Sequence, residues 1–218
     1  MFTGIVQGLV PVLGIENEAN LSRVELKMGE LARGIELGAS VAVNGTCLTV
    51  TRASDSGAVC FDIINETLNT TNLGALRVGH RVNVERSFKV GDEVGGHIVS
   101  GHVTGTAYLS GLRNEGHDRV LTFNLDKQWM RFVLHKGYVG IDGASITVSN
   151  VNREANTFSV SLIPETIERT TLGGLALGER VNVEVDSQTQ TIVETIERVM
   201  QDPQMRESMV RQTQNGAT

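Results

Sequence analysis

The chain has 218 residues, and its 25 acidic against 19 basic side chains give a formal charge of −6. That length suits one large or two small domains, at roughly 100–200 residues each. The acidic balance argues against nucleic acid as main partner, because phosphate binding draws on clustered Lys and Arg. No apolar run approaches the ~18 residues of a membrane span.

In chain order, Met1-Phe2-Thr3-Gly4-Ile5-Val6 lacks the basic and apolar regions of a signal peptide, so the chain is expected in the cytoplasm. Its two cysteines, Cys47 and Cys60, are too few to staple such a fold and are expected as reduced thiols. Alternating β-branched runs predict strands at Val24–Leu26, Ser40–Val43, Leu48–Ala53, Ala58–Ile64 and Arg81–Glu85. The pattern resumes at Ile98–Leu112, Val120–Asn124, Tyr138–Ile141, Ile146–Asn152, Thr157–Leu162 and Arg180–Val185. Helical segments are predicted over Met28–Leu37 and Asp126–His135, ending near Gly38 and Gly137. Many short, evenly spaced strands mean a sandwich or a barrel. Beyond Asp186, Ile192, Val193, Ile196, Val199 and Met200 recur at helical spacing. That stripe either covers its own barrel or meets copies of itself. From Asp202-Pro203 onward the chain is polar and is expected to be a flexible tail.

The chain repeats itself. Glu66 to Glu85 returns as Glu165 to Glu184, with 12 identities in 20 positions. Val43-Asn44-Gly45-Thr46-Cys47-Leu48-Thr49-Val50 aligns with Ile141-Asp142-Gly143-Ala144-Ser145-Ile146-Thr147-Val148, and Thr3 to Gly8 with Ser100 to Gly105. A period near 98 is domain-sized rather than the ~20–50 residues of a solenoid repeat. Two homologous β-domains are therefore expected, 1–97 and 98–187, then a helix over 188–201 and the tail 202–218.

The Asn44-Gly45 and Asp142-Gly143 pairs predict tight hairpins. Alternation sends Cys47 and Thr49, and likewise Ser145 and Thr147, to one strand face. There they line a pocket or satisfy neighbouring backbone. Cys47 is a thiol where the second copy has a hydroxyl, so two such pockets would differ chemically. Cys60 reads as a small core residue. His102 stands where the first copy has Ile5, and a histidine there suits proton exchange near neutral pH. His97, in Gly95-Gly96-His97, reads as a linker residue, and Lys136 as a solvated charge after a helix. The later threonines after Glu66-Thr67 and Glu165-Thr166 read as backbone caps. No metal-ligand spacing, dinucleotide loop, Walker loop or Gly-x-Ser-x-Gly elbow occurs.

These motifs, together with Ser100-Gly101-His102-Val103 and Ile163-Pro164-Glu165-Thr166, resemble the riboflavin synthases of the alpha-chain type over about residues 1–200. The resemblance implies an all-β fold of two tandem Greek-key barrels, closed, six-stranded and flavin-reductase-domain-like, with a C-terminal helix that holds a homotrimer. It implies that two molecules of 6,7-dimethyl-8-ribityllumazine dismutate by four-carbon transfer. The products are riboflavin and 5-amino-6-(D-ribitylamino)uracil, the last step of riboflavin biosynthesis, with no metal and no cofactor.

Residue by residue, the resemblance implies contacts from Gly4, Ile5, Val6, Cys47, Leu48, Thr49, Asp62, Ile63, Ile64, Asn65, Glu66 and Thr67 in the first barrel. The second supplies Gly101, His102, Val103, Ser145, Ile146, Thr147, Leu162, Ile163, Pro164, Glu165, Thr166 and Ile167, and Lys136 reaches a neighbouring subunit's ligand. Cys47, Ser145 and His102 are the residues expected to assist addition and proton transfer. The resemblance also allows association with a lumazine synthase. Two other readings compete: a non-catalytic lumazine- or flavin-binding protein of the same fold, and the flavin domain of a reductase, which would need a nicotinamide region.

Overall fold

The computed structural model describes residues 1–115 and 118–204. The first half contains β1 (Gly8–Asn17), β2 (Leu21–Lys27), β3 (Ser40–Val43), β4 (Thr46–Ala53), β5 (Ala58–Ile64) and β6 (Arg81–Arg86). The second contains β7 (Gly105–Glu115), β8 (Asp118–Leu125), β9 (Tyr138–Ile141), β10 (Ala144–Asn152), β11 (Thr157–Leu162) and β12 (Arg180–Val185). Each set closes into a six-stranded antiparallel barrel, in the order β1-β2-β5-β4-β3-β6 and its counterpart β7-β8-β11-β10-β9-β12. Closing so few strands demands sharp curvature, which bulges supply. Register shifts fall between Val12 and Gly14 and between Val50 and Arg52, and again at Leu109/Gly111 and Val148/Asn150. The internal repeat therefore reproduces the bends as well as the strands.

Each barrel buries its own apolar core, one centred on Val24, Leu26, Phe61 and Val82 and the other on Phe123, Ile141, Phe158 and Val181. After β5 and β11 the chain turns into the short helices α1 (Asn65–Thr70) and α3 (Pro164–Arg169), each followed by a 3-10 turn. As expected of the later threonines, the Thr71 and Thr170 hydroxyls accept from the amides of Leu73 and Leu172 and cap those turns.

The structure departs from these expectations at four places. Strand β1 was not anticipated, because Pro11 and the glycines Gly8 and Gly14 interrupt its pattern; Pro11 is tolerated where β1 pairs with β6. The predicted Met28–Leu37 helix is one 3-10 turn, Gly29–Ala32, because Gly29, Gly34 and Gly38 adopt positive φ. The predicted Asp126–His135 helix is only α2 (Lys127–Met130), after which Phe132 and Val133 pack into the second barrel's core. The strand expected from Ile98 begins only at Gly105, and the skipped residues matter to the site.

The terminal helix α4 (Ser187–Gln201) forms as expected, capped by the Asp186 carboxylate accepting from the Thr189 amide at 2.8 Å. Arg131 ties it down through Glu194 and Glu197, and Val193 packs on the second barrel. Ile192, Ile196 and Met200 remain 57–59% exposed, so the stripe is split between two faces. No helix of the described residues is long and apolar enough to cross a membrane. Beyond Gln204, the expected tail lies outside the described residues.

Candidate active site

The Arg-Val-Asn-Val-Glu stretch shared by β6 and β12 shows how the barrels join. Val82 and Val84, like Val181 and Val183, point into the cores, so Asn83 and Glu85, and Asn182 and Glu184, point the other way. The amide of Asn83 donates to Asn44 Oδ1, its Nδ2 to the Asp142 carbonyl, and its Oδ1 accepts from the Thr171 amide, each at 2.8 Å. Asn182 mirrors this: it donates to Asp142 Oδ1 and the Asn44 carbonyl at 2.8 Å and accepts from the Asn72 amide at 2.6 Å. Between them the two predicted hairpins meet back to back, Asn44-Gly45 against Asp142-Gly143, with all four residues at positive φ. A Cβ on Gly45 would lie 2.6 Å from the Gly143 nitrogen. Asp142 is the one acid in this seam. Burial pushes its carboxyl up to about 7, against hydrogen bonds from Asn182, Thr171 and Asn72.

The two glutamates hold the segments that lead into each barrel. Ser100 gives Glu184 its amide (2.6 Å) and hydroxyl (2.8 Å), and Gly101 its amide (3.0 Å); Glu85 takes the same three bonds from Thr3 and Gly4. Burial raises both carboxyls above the ordinary range, and these bonds pull against it. Amides spent on a carboxylate cannot join a ladder, which is why residues 98–104 form a loop rather than the expected strand. Within this loop Val99 forms an isolated antiparallel bridge with Phe2, and the Thr104 amide donates to the Val183 carbonyl at 2.9 Å.

Held this way, each leading segment reaches across to the other barrel. The Ser145 amide donates to the Gly4 carbonyl, and the Cys47 amide to the Gly101 carbonyl, both at 2.8 Å. Val6 packs against the second barrel's core. Phe2 is fully buried with Ala42, Val99 and Cys47. The site residues thus group in space differently from their grouping by repeat. Gly4, Ile5 and Val6 belong with Ser145 on β10, and Gly101, His102 and Val103 with Cys47 on β4.

Within each group the strand alternation holds. Cys47 and Thr49 face outward while Leu48 is buried, and Ser145 and Thr147 face outward while Ile146 is buried. Leu48, Ile63, Ile146 and Leu162 pack in the barrel cores, so they can offer a ligand only their main chain. Strand β5 ends on exposed Ile64, exposed Ile163 follows the end of β11, and Asn65, Glu66, Pro164 and Glu165 are exposed on the helices beyond. Thr67, Thr166 and Ile167 are half-buried. Two carboxylates expected at a ligand are already paired: Asp62 with Arg23 Nε at 2.8 Å, and Glu165 with Arg169 on its own helix. Ile5 and His102 sit exposed at equivalent points of the leading segments. Lys136 is exposed and takes φ 62 in the turn before β9. Cys60 is buried as expected, with its sulfur facing the Arg52 guanidinium at 3.2 Å.

Sequence reasoning missed His97. It is no spacer: its Nδ1 lies 2.6 Å from Ser145 Oγ, and its ring stacks on Tyr138 at 5.3 Å. It missed Glu85, Glu184, Asn83 and Asn182 as well. Their signal was available, since polar residues repeat identically at alternate positions of an otherwise apolar strand.

Two segments, residues 3–87 and 100–186, match the lumazine binding domain family. The riboflavin synthase of Escherichia coli (strain K12) is 48% identical over 202 residues, covering 92% of this chain and 93% of that protein. The chain belongs to the riboflavin synthase family. A riboflavin synthase of Mycobacterium tuberculosis (strain ATCC 25618 / H37Rv) is 41% identical over 201 residues, covering 92% of this chain and 98% of that one. Among solved structures, LumP complexed with riboflavin superposes with a TM-score of 0.78 at 28% identity, covering 86% of this chain and all of the other. LumP complexed with 6,7-dimethyl-8-(1'-D-ribityl) lumazine gives 0.76 at the same identity, covering 85% and 99%. The family thus accounts for both barrels in a single span.

Proposed function

We infer that this chain is a riboflavin synthase. It takes two molecules of 6,7-dimethyl-8-ribityllumazine, moves a four-carbon unit from one to the other, and releases riboflavin and 5-amino-6-(D-ribitylamino)uracil. The observation that carries this reading is the duplicated crossing of the leading segments, Gly4 to Ser145 and Gly101 to Cys47, in a chain 48% identical to a riboflavin synthase over nearly its whole length. Two equal substrates must play unlike parts, donor and acceptor. Two groups of residues on a common plan, one bearing the Ser145 hydroxyl and the other the Cys47 thiol, suit that need. Holding two rings in reacting orientation is worth ~7–11 kcal/mol, so positioning supplies much of the acceleration.

In this reading one lumazine lies against Gly4–Val6, Ser145–Thr147 and residues 162–167. The other lies against Gly101–Val103, Cys47–Thr49 and residues 62–67. Cys47, Ser145 and His102 assist addition and proton transfer, and Lys136 reaches across to a neighbouring subunit's ligand. Residues 1–97 and 98–187 are the two lumazine-binding units, and 188–201 is the oligomerisation helix. The open stripe of Ile192, Ile196 and Met200 supports a homotrimer, because exposed residues at this spacing gain by burial against copies of themselves. The reduced thiols fit a cytoplasmic enzyme. A lumazine synthase, as supplier of the substrate, is its external partner.

The likeness to LumP favours one second reading, a protein that binds lumazine without converting it. Incubation of pure protein with 6,7-dimethyl-8-ribityllumazine, with no added cofactor, separates the two. Growth of riboflavin fluorescence is expected; tight binding with no riboflavin formed would establish the binding protein instead.

A further inference from the structure

Gly95-Gly96-His97 threads between the N-terminal segment and the second barrel's hairpin strand. A Cβ on Gly96 would fall 2.4 Å from the Thr3 carbonyl oxygen and 2.7 Å from Ser145 Cβ. Only a bare glycine lets the chain pass there. The passage delivers two groups of His97 to one atom: its amide nitrogen lies 3.2 Å, and its ring Nδ1 2.6 Å, from Ser145 Oγ. Tyr138, half-exposed on β9, stacks nearly parallel on the ring, at 18°. The Cys47 thiol makes no such bond among the described residues.

The ring's protonation follows from its surroundings. Burial holds the imidazole below the usual histidine range, while Asp186 pulls weakly the other way, so the ring is neutral near pH 7. A neutral ring carries one N–H. Nε2 is buried with no partner among the described residues, and an orphaned buried N–H is the rarer and costlier arrangement. The proton therefore sits on Nδ1. Ser145 Oγ then accepts from two N–H groups, and its own O–H is left as a donor aimed away from them.

We propose that His97 is a positioning residue, fixing and polarising the Ser145 hydroxyl as a hydrogen-bond donor to the lumazine held against Gly4–Val6. This rests on the functional reading above, in which Gly4–Val6 and Ser145 hold a lumazine. It also distinguishes the two groups of site residues, since the Ser145 hydroxyl is held by His97 whereas the Cys47 thiol has no such bond among the described residues.

The test uses three substitutions in the full-length protein, with lumazine affinity read by its fluorescence and turnover by riboflavin formation. H97F keeps an aromatic ring on Tyr138 but removes the ring donor. H97N returns an amide N–H near the Nδ1 position. H97F is expected to lower kcat/KM about 10- to 100-fold, the scale of one lost preorganised donor, and to weaken lumazine binding. H97N recovers most of both, and adding H97F to S145A costs nothing further, because His97 acts through Ser145. Nitrogen NMR of His97 should find the proton on Nδ1. Full affinity and turnover in H97F with loss in H97N would mean the ring serves only to pack. Additive losses in the double variant, or a proton on Nε2, would equally overturn the proposal. Wild-type protein that binds lumazine but forms no riboflavin would overturn the functional reading, while the affinity order of the variants still decides the role of His97.

Discussion

Glu85 grips Thr3 twice, at the amide (2.6 Å) and at the hydroxyl (2.8 Å), and so fixes a segment that touches the opposite barrel rather than its own pocket. Three donors converge on this one carboxylate, counting the Gly4 amide. An amide side chain in its place would turn one acceptor into a donor facing a backbone N–H. Glu85→Gln is therefore expected to weaken lumazine binding at the Gly4 side at least tenfold and to cost ~1–3 kcal/mol of stability, the scale of a buried unsatisfied group. Fluorescence titration and urea unfolding measure the two effects; a variant equal to wild type in both would show that the clasp is dispensable.

The hairpin seam predicts a steric result. Gly45 takes φ 77, and an added Cβ would sit 2.6 Å from a backbone nitrogen that cannot move without unseating Asp142. Gly45→Ala is expected to lower stability by about 2–4 kcal/mol, combining backbone strain with the clash. Denaturant midpoints at constant slope read this directly. Gly38, which also has positive φ but open space around it, gives the smaller loss that strain alone produces.

Asp142 makes stability depend on pH. Its folded carboxyl titrates at about 7 against an ordinary 3.8, so the folded state holds a proton that the unfolded state has lost. Its contribution is complete below about pH 4 and disappears as pH rises through 7. Asp142→Asn removes this titration and installs the residue that the first barrel has at Asn44. The variant should match wild type in melting temperature near pH 4 and exceed it increasingly up to pH 8. A constant difference across that range would mean that Asp142 does not titrate there.

The exposed stripe of α4 can be tested apart from the barrels. Ile196→Glu sets a charge at a position that is 57% exposed and is neither the Val193 packing residue nor a partner of Arg131. Sedimentation should then report a smaller species, while the melting of the β-structure changes little. An oligomer unaffected by this charge would remove the helix from the interface.

Much of this was legible in the residues. The offset near 98 specified two domains, Asn44-Gly45 and Asp142-Gly143 specified hairpins, and alternation correctly turned Cys47, Thr49, Ser145 and Thr147 to one face. Such features depend on local geometry, where period and turn chemistry act within a few residues. The failures were local conflicts settled from outside: glycines broke the expected helix after Met28, and tertiary pairing made a strand of a proline-bearing segment.

What the amino-acid order determined by itself was the copied unit, its strands, and which side chains face out of each barrel. What only the tertiary structure decided was which copies meet: Gly4 with Ser145, Gly101 with Cys47, and His97 with a hydroxyl 48 residues further along. The reason is that a repeat aligns equivalent positions, whereas contact across a pseudo-twofold seam pairs non-equivalent ones everywhere but at its centre, where Gly45 meets Gly143. Sequence similarity between the halves carries no trace of that exchange, and the packing of two hairpins back to back imposes it.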